Sequence, residues 1–213
     1  MKKLLIVGVV IVVLGVILFA VAGGSYNRLV TLSQSTDKQW AQVQNVYQRR
    51  ADLIPNLVAT VSGAANFEKS TLTQITQARA SVGQVKIDPS AAPTDPAKLA
   101  EFERAQSSLG SALSRLLVVS ENYPQLRATE NFRELQAQLE GTENRISVER
   151  GRFNETVQAY DTAVKSFPAV FYAGMFGFKE KPYFAATAGA ETAPKVDFNP
   201  PPATTPAPAP AKP

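Results

Sequence analysis

The pattern of apolar and polar residues changes near residue 24. Residues 4–24 form an uncharged apolar run directly after Lys2 and Lys3, and charge returns from Arg28 onward. A helix of about 20 such residues rises roughly 30 Å, enough to cross the hydrocarbon core of a bilayer. The pattern therefore predicts a transmembrane anchor over residues 1–24, in contact with the lipid bilayer through residues 4–24.

A cleaved signal peptide is the alternative interpretation of the same run. Ala20-Val21-Ala22 matches the small-residue pattern of a cleavage site, and cleavage after Ala22 stays open. The run is longer than the roughly 7–15 apolar residues of a usual signal peptide, which favours a retained single-pass anchor. More positive charge precedes the span than closely follows it, so we expect the soluble part on the extracytoplasmic side, periplasmic or outer.

Beyond the span, apolar residues recur every three or four positions, which is typical of helices that bury one face. The first soluble helix is expected to run to about Arg50. Its predicted buried stripe is Leu29, Leu32, Thr36, Trp40, Val43, Tyr47 and Arg50. Asp52 and Pro55 fit the start of a new helix, because proline is tolerated in a first turn. A break there is preferred, although a kinked continuous helix fits the same phase; helical pattern then persists to about Gly83.

Breakers punctuate the second half of the chain. The prolines of residues 84–96 predict an exposed loop, and Asp95 is placed to cap the helix that follows. The buried stripe predicted for that helix is Leu99, Phe102, Gln106, Leu109, Leu113 and Leu116. Tyr123-Pro124 ends it, and the longest helix extends from Leu126 to Phe167. The apolar face of this last helix comprises Phe132, Leu135, Leu139, Ile146, Phe153, Val157, Tyr160, Val164 and Phe167.

Each soluble helix carries one apolar stripe with coiled-coil-like spacing and has to bury it against its neighbours. The sequence shows no strand-like alternation and no phosphate-binding glycine motif. We therefore expect an all-α fold, in which the transmembrane helix precedes an elongated antiparallel up-and-down bundle of three or four helices over 25–184.

The last part of the chain has a different composition. An aromatic segment with interleaved lysines, residues 171–184, is expected to fold over the end of the bundle as a cap. A role at the membrane interface or in partner docking is the alternative, because aromatics with lysines suit the headgroup layer. Residues 185–213 are rich in alanine, proline and threonine and are predicted to be disordered.

Composition removes most familiar catalytic chemistry. The 213 residues include no cysteine and no histidine, which excludes Cys/His zinc sites, Ser-His-Asp and Cys-His arrangements and haem–histidine ligation. The net charge of +4 is small and both signs are interspersed, so nucleic-acid binding is not expected. We expect no enzyme activity, no catalytic residue, no metal and no cofactor.

Two sets of residues remain as candidate sites. The acidic groupings considered for a metal or acid–base site are Glu101, Glu103, Glu140, Glu143 and Glu149; solvated charge, or pairing with Arg145 and Arg150, is the preferred interpretation. The candidates for partner docking are Arg49, Arg50, Asp52, Pro55, Asn56, Phe178, Tyr183 and Phe184. For the first five, ordinary salt bridges and helix-break geometry are the favoured alternative.

Short motifs between residues 26 and 184 form a recognisable set. They are Tyr26-Asn27-Arg28-Leu29-Val30, Trp40-Ala41-Gln42-Val43, Arg49-Arg50-Ala51-Asp52-Leu53-Ile54-Pro55-Asn56-Leu57-Val58, Tyr123-Pro124-x-Leu126, Glu143-Asn144-Arg145-Ile146, Arg152-Phe153-Asn154, Tyr160-Asp161, Phe167-Pro168, Gly177-Phe178 and Tyr183-Phe184. Together they resemble the LemA family of bacterial membrane-anchored helical proteins. Phe67-Glu68 departs from the family pattern, which often has a histidine before the glutamate. The proline-rich tail lies outside the resemblance.

The resemblance implies an antiparallel four-helix bundle behind one transmembrane helix, and it supplies no established enzyme activity. Family members are similar to accessory or scaffold proteins of the bacterial envelope. The expectation is therefore a membrane-anchored, non-enzymatic scaffold that binds protein partners of unknown identity, and a homo-oligomer is compatible with it. A lipid- or surface-interaction module acting through residues 171–184 is the alternative, and a carboxylate/metal enzyme is less favoured.

Overall fold

The computed structural model describes residues 2–63 and 67–185. Its helices are α1 Lys2–Ser62, α2 Lys69–Gln84, α3 Pro96–Ser120, α4 Pro124–Ala128 and α5 Glu130–Lys165, followed by a 3-10 turn, Ala169–Phe171. No strand occurs in these two described stretches, so the predicted all-α class is confirmed. Residues 186–213, for which disorder is predicted, lie outside the described residues.

A single helix joins the apolar run to the soluble part of the chain. α1 comprises 61 residues without interruption, a length of about 90 Å at 1.5 Å per residue. The predicted boundary at residue 24 therefore lies inside a helix. The apolar part of α1 is long and apolar enough to cross a membrane, and its side chains are exposed along the run.

The helix break preferred at Asp52 and Pro55 is wrong, because α1 continues through Pro55 to Ser62. Ile54 and Leu57, on either side of the proline, are both buried in the core, so the helical phase that buries them persists across Pro55. Proline lacks the N–H that would bond the carbonyl four residues earlier. That carbonyl, on Ala51, instead accepts a hydrogen bond of 3.1 Å from Nε of Arg79.

The actual interruption of helix lies further along the chain. α1 ends at Ser62 and α2 begins at Lys69, within a region where the pattern predicts continuous helix. Phe67 is buried just before α2 and packs against the ring of Tyr123, with centroids 4.9 Å apart. The end of α2 at Gln84 agrees with the predicted end near Gly83.

The boundaries of α3 match the sequence signals. Asp95 is the N-cap, with Ala97 N donating to its Oδ1 at 2.8 Å, and Pro96 opens the first turn. The preceding loop is less exposed than predicted. Ala92 is buried against the core, and Trp40 donates from Nε1 to the carbonyl of Asp88 at 3.4 Å.

The long last helix is divided near its start. α4 ends at Ala128, and Thr129 caps α5 by accepting at Oγ1 from Phe132 N at 3.4 Å. α5 then continues for 36 residues. Its end at Lys165 falls short of the predicted Phe167, whose side chain is exposed rather than part of the apolar stripe.

Three hydrophobic clusters follow one another along the length of the molecule. The cluster furthest from the apolar run takes residues from α1 to α5, including Leu57, Leu116 and Phe132. The middle cluster surrounds Trp40, and the third lies around Leu29. The predicted stripe of α3 is fully buried, and that of α1 is buried except for Leu32, which is half-buried. The sequence periodicity therefore identifies the core correctly on these helices.

Candidate functional site

A groove of 950 Å³ opens between α3 and α5, with α1 as its floor. α3 presents a row of small residues to it, namely Ser107, Gly110, Ser111 and Ser114. The lining also includes charged residues of both signs: Arg50, Glu103, Arg104, Glu140, Glu143 and Arg150. The groove thus combines an open, mainly apolar surface, which includes Leu113, Leu117 and Leu139, with charges of both signs.

Arg50 lies on the floor of the groove and connects three helices. Its Nη2 donates to the side-chain Oε1 of Gln106 at 2.5 Å and to the Gln106 carbonyl at 3.0 Å. Its Nη1 forms an ion pair of 2.8 Å with Glu143, and the two side chains are 4% and 62% exposed. The Nε is buried and has no hydrogen-bond partner among the described residues. Arg50 is therefore a buried cation whose anionic partner faces solvent.

A second ion pair closes one end of the groove. Arg150 pairs with Glu103 at 2.7 Å and donates to the carbonyl of Ala185 at 2.9 Å. Burial raises the pKa of the Glu103 carboxyl, and the nearby Arg150 charge opposes that shift. Burial also raises the pKa of Tyr47, against the opposing charges of Arg150 and Arg50. For both Glu103 and Tyr47, burial and the neighbouring arginine charges therefore act on the pKa in opposite directions.

The acidic groupings considered for a metal site are dispersed. Glu149 pairs with Arg152 at 2.9 Å, and Glu140 accepts from Gln136 at 3.0 Å, while Glu103 and Glu143 pair with the groove arginines. Within 2–63 and 67–185, no three Asp, Glu, His or Cys side chains lie close enough together to hold a metal ion.

The eight docking candidates do not form one site. Arg49 is exposed, whereas Arg50 is buried, so the two arginines face different surroundings. Asp52 is exposed and accepts from Gln48 Nε2 at 2.8 Å, one helical turn away. Pro55 and Asn56 are exposed on α1.

The three aromatic candidates lie on the C-terminal segment. Phe184 is buried and packs on Trp40, with ring centroids 6.1 Å apart. Phe178 is half-buried against Tyr26, and Tyr183 is exposed. Only Phe184 approaches the groove, where its ring lies 4.6 Å from the Arg150 guanidinium.

Sequence reasoning missed a polar clasp formed by Asp37, Asp161 and Lys181. Lys181 is buried, and its Nζ donates to Asp37 Oδ1 at 2.6 Å, while its backbone N donates to Asp161 Oδ1 at 3.1 Å. Asp37 also accepts from Ala92 N at 2.9 Å. Burial raises the pKa of Asp161. The clasp joins the C-terminal segment to three parts of the fold: α1, α5 and the loop that precedes α3. In the sequence, the feature that pointed to it was Asp161 within the Tyr160-Asp161 motif.

Beside the clasp, Asn154 holds the backbone of the same segment. Its Oδ1 accepts from Phe184 N at 2.9 Å and its Nδ2 donates to Phe184 O at 3.0 Å. This reciprocal pair fixes Phe184 against the ring of Phe153, 5.4 Å away. Phe153 and Asn154 of the motif Arg152-Phe153-Asn154 therefore hold the C-terminal segment.

Comparisons with known proteins agree on one family. A model of the LemA family matches residues 39–198. Magnetosome protein MamQ 2 of Paramagnetospirillum magneticum is 27% identical over 182 residues, covering 78% of this chain and 67% of the relative. Magnetosome protein MamQ of Magnetospirillum gryphiswaldense is 27% identical over 174 residues, covering 75% and 64%. Protein LemA of Metamycoplasma hominis is 22% identical over 157 residues, covering 74% and 67%. The matches span about two thirds of the length of these relatives.

Proposed function

Since this chain belongs to the LemA family, we propose that it is a membrane-anchored, non-enzymatic scaffold or accessory protein of the bacterial envelope that binds a protein partner in the groove over Arg50. The observation that carries the proposal is the continuity of α1. One helix extends from the apolar run into the core, so the groove is held at a fixed height above the membrane.

The proposal includes an antiparallel four-helix arrangement of α1, α2, α3 and α5. Pairs between α1 and α5 support it, because Thr36 contacts the carbonyl of Thr156 and Arg50 contacts Glu143, so residue numbers rise along one helix as they fall along the other. The boundary between anchor and bundle, at residues 24 and 25, is then the point where the single helix α1 leaves the membrane and enters the bundle. Because α1 is continuous, the orientation of the anchor in the membrane sets the orientation of the groove.

Partner binding is supported by the chemistry of the groove. Small side chains on α3 leave room for a partner backbone to approach closely, and Arg50 and Glu143 place opposite charges in the groove lining. Electrostatic complementarity of this kind contributes specificity more than raw affinity. A protein surface with its own paired charges fits these features. The absence of cysteine and histidine from the sequence supports a non-enzymatic role.

Site-specific photocrosslinking tests the groove. A photoreactive phenylalanine analogue at Ser111 or Ser114, both exposed and lining the groove, is expected to trap the same partner in intact cells. Ser108 is exposed on the same helix but outside the groove lining, and it is the matched control. Identical adducts from Ser108 and Ser111 would count against the groove as the binding site.

The side of the membrane is tested by thiol labelling of this cysteine-free chain. Ala91→Cys places a thiol at an exposed position of the loop before α3, and Lys3→Cys places one at the other end of the span. If the soluble part is extracytoplasmic, a membrane-impermeant reagent labels intact cells at position 91 and spares position 3. The reverse pattern would place the groove in the cytoplasm.

A further inference from the structure

We propose that the turn after α5 is a second membrane contact, in which Phe167, Phe171, Met175 and Phe176 insert into the bilayer interface beside α1. These four residues are called the interfacial turn. The inference rests on the proposed membrane anchor and adds a lipid-binding surface to it. The exposed side chains of the interfacial turn would then contact lipid.

Residues 167–178, which include the interfacial turn, lie beside α1 at the height where its apolar run ends. Tyr172 Oη donates to the carbonyl of Ala22 at 3.3 Å, within the last turns of the apolar run. Tyr26, one helical turn beyond Ala22, packs edge-on against both Phe176 and Phe178, with centroids 5.5 Å apart in each case. From Leu5 to Ala22, α1 rises about 26 Å. An anchor that crosses the hydrocarbon core therefore brings these contacts to its boundary.

The segment has two different sides. Ala169 and Ala173 face inward and are buried with Leu29 in the third cluster. The large side chains of the interfacial turn face outward, between 62% and 84% exposed. A concentration of exposed large apolar residues in so short a segment marks an interaction surface, because scattered single residues are the normal case. The buried alanines fix the backbone, so the outward side is presented rigidly.

Polar groups border this apolar side. Lys179 is exposed immediately after Phe178, and Tyr183 is exposed beyond the ion pair of Lys165 with Glu180. Tyrosine and lysine are typical of the headgroup layer, where a ring sits at the boundary and an ammonium meets phosphate. The order from apolar side chains to lysine and tyrosine follows the polarity gradient of a bilayer interface.

The continuity of this surface with the span identifies the occupant as lipid. Tyr172 and Phe176 contact α1 within four residues of the apolar run, so a protein partner at the same height would have to displace lipid from both. The bilayer reaches this surface without any further component. With α1 and the interfacial turn both engaged, the bundle has two points of attachment and a defined tilt.

Spin labels on single cysteines test the insertion in the full chain reconstituted into phosphatidylcholine/phosphatidylglycerol nanodiscs. The test positions are Phe171→Cys and Phe176→Cys, and the chain has no native cysteine to interfere. Val118→Cys, exposed near the far end of α3, is the matched apolar control. Val12→Cys reports the span itself. The fluorescence of Trp40, the single tryptophan, verifies that each variant keeps its core.

Relaxation by oxygen and by a water-soluble nickel complex reports the depth of each label. Insertion predicts at least a threefold higher ratio of oxygen to nickel accessibility at positions 171 and 176 than at position 118. Equal ratios at 171, 176 and 118, with position 12 still in lipid, would overturn the interfacial turn and leave the anchor standing. A ratio at position 12 equal to that at 118 would overturn the anchor itself, and with it this inference.

Discussion

Arg79 supplies to Ala51 the hydrogen bond that Pro55 cannot supply. The Nε of Arg79, on α2, donates to the Ala51 carbonyl at 3.1 Å, and that carbonyl lies four residues before the proline inside α1. In an uninterrupted helix the N–H of residue 55 would occupy this position. A side chain from the neighbouring helix thus completes the backbone of α1 at the point where proline leaves it incomplete.

Removing Arg79 should therefore destabilise the bundle more when the proline is present than when it is replaced. Arg79→Met is expected to lower the free energy of unfolding by about 1 kcal/mol, because a backbone acceptor loses a charged donor at a partly solvated site. In a Pro55→Ala background the backbone N–H gained at position 55 satisfies the carbonyl, and the same change should cost less than half as much. Urea unfolding of the full chain in nanodiscs, followed by Trp40 fluorescence, measures all four proteins. Equal costs in both backgrounds would show that the hydrogen bond does not compensate for Pro55.

The Pro55 region shows which kinds of structure the sequence predicts. Periodicity predicts the buried face of α3 except for Ser120, because a helix repeats its face every three to four residues whatever packs against it. The hydrogen bond that compensates for Pro55 inside the helix comes from Arg79 to Ala51, and these two residues are 28 positions apart. A local sequence pattern does not predict a contact between residues so far apart. The local cap at Asp95, whose partner is two residues away, is predicted correctly.

In the candidate site too, the sequence predicts local features and does not predict contacts between residues that are distant in sequence. The phase of α1 places Arg50 on the buried face, and this much is visible in the sequence. Its partners Gln106 and Glu143 are 56 and 93 residues distant, and which helical faces meet is decided by the whole fold. The clasp at Lys181 was missed for the same reason, since an exposed lysine and a buried one look identical in a segment without helical periodicity.

The two partners of Arg50 should differ in their contribution to stability. Gln106→Met keeps the side-chain volume and the backbone carbonyl but removes the side-chain acceptor of a buried charge, and is expected to cost about 1–3 kcal/mol. Glu143→Gln keeps an acceptor at a position that is 62% exposed, and should cost less than about 1 kcal/mol. The same urea unfolding measurement compares them. A larger loss for Glu143→Gln than for Gln106→Met would mean that the ion pair, rather than the buried amide, stabilises Arg50.

Two lysines of the C-terminal segment form a matched pair for testing the clasp. Lys181→Met leaves Asp37 without its cation, and we expect a loss of about 2–3 kcal/mol because Asp37 keeps the amide of Ala92. Lys179→Met alters an exposed lysine two residues earlier and should change stability by less than about 0.5 kcal/mol. Hydrogen exchange of residues 179–185 should accelerate in the first variant alone. Equal exchange in both would show that Lys181 does not hold the segment in place.

The alkaline limit of stability should depend on Tyr160. Burial, reinforced by the negative charges of Asp161 and Asp37, raises the pKa of its phenol from 10.0 to about 12. Below about pH 9 the phenol is almost fully protonated in both folded and unfolded chains, so it contributes almost no pH dependence there. Between pH 10 and 12 the unfolded chain releases a proton that the folded chain retains, and stability falls by about 1.4 kcal/mol per pH unit at most.

Tyr160→Phe removes this ionisation while keeping the ring over which Lys181 lies, 5.2 Å from its centroid. Both proteins retain Asp37, Asp161 and Lys181, so the difference between their stability–pH curves isolates the phenol. The expected result is parallel curves up to about pH 9 and a loss in the parent protein about 2 kcal/mol larger by pH 12. Trp40 fluorescence in urea at each pH provides the measurement. Curves that remain parallel to pH 12 would mean that Tyr160 ionises as readily in the folded protein as in the unfolded chain.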